Sequence, residues 1–116
     1  MNLTDIIIKK QNGSIVKLLV KIQETESQFN KGLMFVKKLL GYDGMLFDFG
    51  ENQVINMWMK DTYIPLDILF FDSSRKLIYI HENTVPLEIT PLWSGKPVRY
   101  VLEIGSGQVN TLGITV

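Results

Sequence analysis

Short apolar runs closed by turn-forming clusters recur along the chain. No other feature restricts its fold as much, because runs of this length suit strands and are too short for most helices. Ile6-Ile7-Ile8 precedes Gln11-Asn12-Gly13-Ser14, and an Asn-Gly pair takes positive φ readily, which predicts a hairpin. In the return run Val16, Leu18, Val20 and Ile22 share one face, while Lys17 and Lys21 share the other with Ile15 and Leu19. That is the period of a half-buried strand. Met45, Phe47 and Phe49 alternate with Leu46 and Asp48, and Gly50-Glu51-Asn52-Gln53 offers a turn into residues 54–59 as a second hairpin. Leu66–Phe71 is almost continuously apolar, as in a strand covered on both faces, and Asp72-Ser73-Ser74-Arg75-Lys76 turns it into residues 77–80. Pro86, Pro91, Gly95 and Pro97 interrupt the stretch from His81 to Val98, so a long irregular loop is expected there, and such loops often carry function in small domains. Residues 98–104 read as one more strand, 106–112 as a final turn of helix and 114–116 as a terminal edge.

One clear helix signal breaks this pattern. Thr25-Glu26-Ser27-Gln28 has the form of a capping box, Phe29 and Leu33 lie four apart, and Gly32 can supply a left-handed end. The expected fold is therefore mainly β (α+β): a small antiparallel barrel or sandwich of about seven strands, with one short helix near residues 25-32. With 116 residues, 46% of them hydrophobic, a single domain over 1–116 can bury a core of its own.

Composition removes several functions. The 12 basic and 12 acidic side chains cancel and lie scattered, so no charge stripe draws a polyanion and nucleic acid is not an expected partner. The absence of cysteine removes thiolate nucleophiles and cysteine-ligated metal sites while leaving the redox compartment open. No apolar run approaches the roughly 20 residues that span a bilayer, and Asp5 sits where a signal peptide is basic. No membrane span is expected, and a processed precursor would read the same way.

Four motifs together carry a family resemblance. Lys31-Gly32-Leu33-Met34-Phe35, then Asp43-Gly44-Met45-Leu46-Phe47-Asp48-Phe49, then Trp58-Met59-Lys60-Asp61-Thr62 with Ile64-Pro65-Leu66-Asp67, and finally Tyr100-Val101-Leu102-Glu103 follow one another along the chain. In order and approximate spacing the chain resembles the bacterial and archaeal family DUF192, also called UPF0127, from about Thr25 to Val116. The resemblance implies a small β-rich protein of unknown function, and many members look exported or lipid-anchored, so a periplasmic or cell-envelope location is expected, with the cytoplasm as the alternative. It transfers no catalytic residue. The positions that match are Gly32, Met34, Asp43, Gly44, Met45, Trp58, Met59, Lys60, Thr62, Pro65 and Asp67. Lys31 stands where the family usually has arginine, which loses a planar bidentate fork, and Asp61 stands where it usually has asparagine.

The residues themselves define a candidate site. Alternation through 57–60 puts Met57 and Met59 on one face with Ile55, and Trp58 on the other with Asn56 and Lys60. The methionines then pack in the core, while Trp58 offers a stacking platform and Lys60 an anion contact. Asp61-Thr62 is a good turn pair. Asp67 lies in an apolar context, so it must be paired, hydrogen-bonded or protonated, with Lys60 and Arg99 as candidate partners. His81, the only histidine, opens the long loop beside Glu82. A ligand site formed by Trp58, Lys60, Thr62, Asp67 and His81 is the leading expectation, in a non-catalytic small-ligand-binding or accessory module of the cell envelope. The alternatives are a small hydrolase or isomerase using Asp67 or Asp43 with Lys60, and a protein-interaction module using the terminal strand as an edge. No spacing supports a metal site, no motif calls for a cofactor, and Gly105-Ser106-Gly107 reads as a turn or helix cap rather than a phosphate cradle. The oligomeric state is left open.

Overall fold

In the computed structural model residues 3–116 are described, and Met1 and Asn2, part of the expected single domain, lie outside the described residues. The Asn12-Gly13 turn does form the first hairpin. Gly13 takes φ 85, Asn12 Oδ1 accepts from Ser14 N at 2.9 Å, and β1 (Leu3–Lys9) pairs antiparallel with β2 (Ile15–Gln23), Ile8 opposite Val16.

The capping box then starts α1 (Glu26–Lys31). Gln28 N donates to Thr25 Oγ1, Gln28 Oε1 accepts from Thr25 N at 3.1 Å, and Gly32 closes the helix at φ 46. After this crossover β3 (Gly44–Gln53) starts opposite Val20 and runs in the same direction as the last residues of β2, so the two strands are parallel. Among the described residues it is the one parallel pair in a sheet ordered β1-β2-β3-β8-β5-β6, where β5 is Leu66–Phe71, β6 Leu77–His81 and β8 Val98–Gly105. The sheet stays open rather than closing into a barrel. A second, two-stranded ribbon of β4 (Asn56–Met57) and β7 (Leu92–Trp93) lies over one face and gives a sandwich-like arrangement.

The expected second hairpin does not form. Gly50, at φ 86, makes an irregularity within β3, so that Asp48 pairs with Tyr100 and Gln53 with Val98, and the chain leaves β3 for the ribbon. The third hairpin forms as expected: Asp72 Oδ1 accepts from Ser74 N and Lys76 N, and β5 pairs with β6. The stretch after β6 is irregular apart from β7, and the expected final turn is α2 (Gln108–Leu112).

Period-two alternation in β5 and β8 divides the core in two. On the ribbon side, Leu66, Ile68, Phe70 and Val101 pack with Met45, Phe47, Ile55 and Met59. On the α2 side, Leu69, Leu102 and Ile104 pack with Val20, Val109 and Ile114. Both strands are buried on both faces, as the continuous apolar run implied.

Candidate functional site

The ribbon settles how residues 56–60 divide. Met59 is buried in the ribbon-side core with Met57 half-buried against it, while Trp58 remains 46% exposed. Asn56 pairs with Trp93, itself 54% exposed, so two indoles lie on the outer side of the ribbon. The Lys60 ammonium lies 5.2 Å from the centre of the Trp58 ring, within cation–π range, and among the described residues Lys60 makes no ion pair.

The loops beside this face carry backbone strain. Phe35, Asp61 and Leu87 all have positive φ, at 64, 51 and 68, and for bulky apolar residues such values persist only where the surroundings impose them. Hydrogen bonds supply that constraint: Phe35 N donates to the Asp61 carbonyl at 2.8 Å, Leu87 N to the Thr62 carbonyl at 3.0 Å, and Met59 N to the Glu88 carbonyl at 2.9 Å. Both strained apolar side chains remain exposed, and Phe35 meets the edge of Tyr63 at 6.1 Å. Thr62 is buried, its hydroxyl donating to the Lys60 carbonyl at 3.0 Å, so it braces the loop rather than facing solvent. His81 joins the margin of the same face through Nε2, 3.2 Å from the Trp93 carbonyl oxygen, with its ring edge-on to Tyr79.

Asp67 lies elsewhere. Alternation turns it to the α2 side, fully buried, where Oδ1 accepts from Asn83 N at 2.9 Å and Oδ2 from Val109 N at 3.0 Å. The expected partnership with Lys60 or Arg99 is absent, because two backbone amides already satisfy the carboxylate. Arg99 instead forks onto Asp48, at 2.9 and 3.3 Å, and holds that carboxyl below its ordinary range. Asp43 is likewise engaged by backbone, with Oδ2 accepting from Leu19 N at 2.8 Å. Trp58, Lys60, Thr62 and His81 therefore gather around the ribbon, and Asp67 stands apart on the other side of the sheet.

One group escaped the reading of the sequence. Glu103 on β8 lies between Met45 and Ile68 in register, facing the ribbon-side core, and is only 3% exposed. Burial without charge compensation pushes its carboxyl up to about 8. The signal was present, since alternation through VRYVLEI pairs Glu103 with the inward Val101. Among the described residues no three His, Asp or Glu side chains are placed to hold a metal ion, and no helix is long and apolar enough to cross a membrane.

Comparison with known proteins places this geometry in a wider set. The family model DUF192, described as "Uncharacterized ACR", matches residues 7–116. A solved structure of a candidate transcription regulator from Sinorhizobium meliloti 1021 is similar at 39% identity and TM-score 0.94, over 98% of this chain and 88% of that one. A protein of unknown function from Novosphingobium aromaticivorans DSM 12444 is similar at 33% identity and TM-score 0.91, over 97% of this chain and 80% of that one. No curated protein matches the chain.

Proposed function

The chain belongs to the DUF192 family, and from that premise we propose that it is a non-catalytic small-ligand-binding or accessory module of the cell envelope. The observation that carries the reading is the Lys60 ammonium standing 5.2 Å over the exposed Trp58 ring. An indole face and an uncommitted cation together suit a planar, anionic ligand group, which stacks on the ring and neutralises the ammonium. Strained loops braced by backbone hydrogen bonds support a surface organised in advance. The enzyme alternative finds less support, because Asp67 and Asp43 are both engaged by backbone amides instead of facing Lys60. The envelope location rests on the exported look of many family members. The Sinorhizobium protein's regulator name suggests DNA, but the balanced charge of this chain does not favour a phosphate-binding surface.

Native mass spectrometry of protein taken from its host tests the reading. A small molecule retained by the wild type and lost from Trp58→Ala and Lys60→Ala is the expected result. Retention unchanged in both variants removes the Trp58 face from the proposal. Protein-interaction is the second reading, favoured by the exposed side chains of Phe35, Tyr63, Leu87 and Ile89. Co-purification of a protein that Trp58→Ala releases, with no small molecule retained, selects it. Fractionation of host cells tests the location, and protein found only in the cytosol overturns it.

A further inference from the structure

The side of the sheet away from the ribbon carries a groove of about 760 Å³, and it is lined both by β1 and by the turn between β5 and β6. Its apolar lining includes Ile8, Leu46, Phe71, Leu77 and Ile114, side chains that extend the α2-side core toward solvent. Four cations line it as well: Lys9 and Lys10 from the β1 side, Arg75 and Lys76 from the turn. Among the described residues Asp5 is the one acidic side chain in the lining, and it already pairs with Lys17 at 3.4 Å. Lys10 is held by the Leu112 carbonyl at 2.9 Å, and the field of Arg75 helps keep Asp48 ionised. Among the described residues, Lys9, Arg75 and Lys76 make no ion pair.

We infer that this groove binds an amphipathic anion, a single aliphatic chain ending in a carboxylate, with the chain on the apolar lining and the head among the four cations. The charge distribution selects this occupant. A chain with 12 basic and 12 acidic side chains has placed four cations and one already paired acid around one apolar trough. A neutral chain would leave those cations unused, and an extended polyanion would find too few of them. Volume agrees, since pockets of a few hundred cubic ångströms, mostly apolar with a few placed polar groups, suit ligands of this size. This site is distinct from the Trp58 face, so each can fail without the other.

Calorimetric titration of the full chain, stripped of bound lipid, with dodecanoate below its micelle concentration provides the test, with dodecanol as the neutral counterpart. Saturable binding of one dodecanoate per chain is expected, with dodecanol weaker by roughly tenfold or more. The triple variant Lys9→Ser, Arg75→Ser, Lys76→Ser removes only exposed side chains, so it should melt like the wild type yet lose the preference for the carboxylate. Leu77→Ser, in the apolar lining, should weaken both probes, and Trp58→Ala should weaken neither. The inference is overturned by the absence of saturable binding, by equal affinity for the two probes, or by a triple variant that keeps the preference. It is equally overturned if the protein sediments with anionic vesicles while ignoring free dodecanoate, because the cations then recognise a membrane surface.

Discussion

Glu103 occupies a position that packing alone would give to leucine or methionine, and its carboxyl must stay neutral to remain there. In the folded chain it titrates at about 8 against an ordinary value of 4.5, so between those values the folded state binds a proton that the unfolded state has released. Stability from this group is then greatest below pH 4.5, falls as pH rises and levels off above 8. At about 1.4 kcal/mol per pH unit the loss across that range amounts to several kcal/mol. Glu103→Gln keeps the shape of the neutral acid without the proton. Urea denaturation should show the variant equal to the wild type near pH 4 and more stable by a few kcal/mol near pH 8. Parallel pH profiles for the two proteins would show that Glu103 is not neutral in the fold. Asp48 works in the opposite sense: Arg99 lowers its titration below 3.8, so its contribution holds at neutral pH and is lost only in stronger acid. At this scale the split of Trp58 from Met57 and Met59 was legible, because alternation is a local property of a strand. The partners of Asp67 were not, since their amides come from residues 16 and 42 positions along the chain.

Elements show the same division between local and distant causes. Helix α1 was legible down to its capping box, because Thr25 and Gln28 serve each other's backbone within one turn. Helix α2 is different: its N-cap, Gly107, contributes no side-chain hydrogen bond, and Asp67 of β5 supplies the acceptor through Val109 N. A carboxylate at a helix N-terminus also meets the positive end of the helix dipole. Asp67→Ala should therefore destabilise the fold by roughly 2–4 kcal/mol, leaving two amides without their acceptor, and Asp67→Asn by less because one carbonyl oxygen remains. Chemical denaturation checks the order, and an alanine variant as stable as the wild type would return Asp67 to the list of functional candidates. The second hairpin does not form because Gly50 and its neighbours are as good at making an irregularity in a strand as at turning one. Which outcome occurs depends on whether another strand is present to pair beyond the glycine, and β8 is.

At the scale of the whole molecule, β5 and β8 contribute to both cores, so neither face can loosen without exposing a strand on which the other depends. Met59→Ala on the ribbon side and Val109→Ala on the α2 side should lower one common transition, the first by roughly 2–4 kcal/mol. The two tryptophans, Trp58 and Trp93, both lie on the ribbon side, which makes their fluorescence a report on that layer alone. Fluorescence and far-ultraviolet circular dichroism should follow coincident unfolding curves, and an earlier fluorescence change would make the ribbon a separate unit.

The sequence by itself determined the mainly β class, the first and third hairpins, helix α1 and the inward or outward sense of the residues around Trp58. Those features depend on turn chemistry, capping and side-chain period, all acting over a few residues. Only the tertiary structure decided which strands became neighbours, and with them the parallel β2–β3 pair, the opposite siting of Asp67 and Trp58, the burial of Glu103 and the cation-lined groove. Each of these joins residues far apart in the chain, and local propensity carries no information about a partner that only the folded sheet brings near.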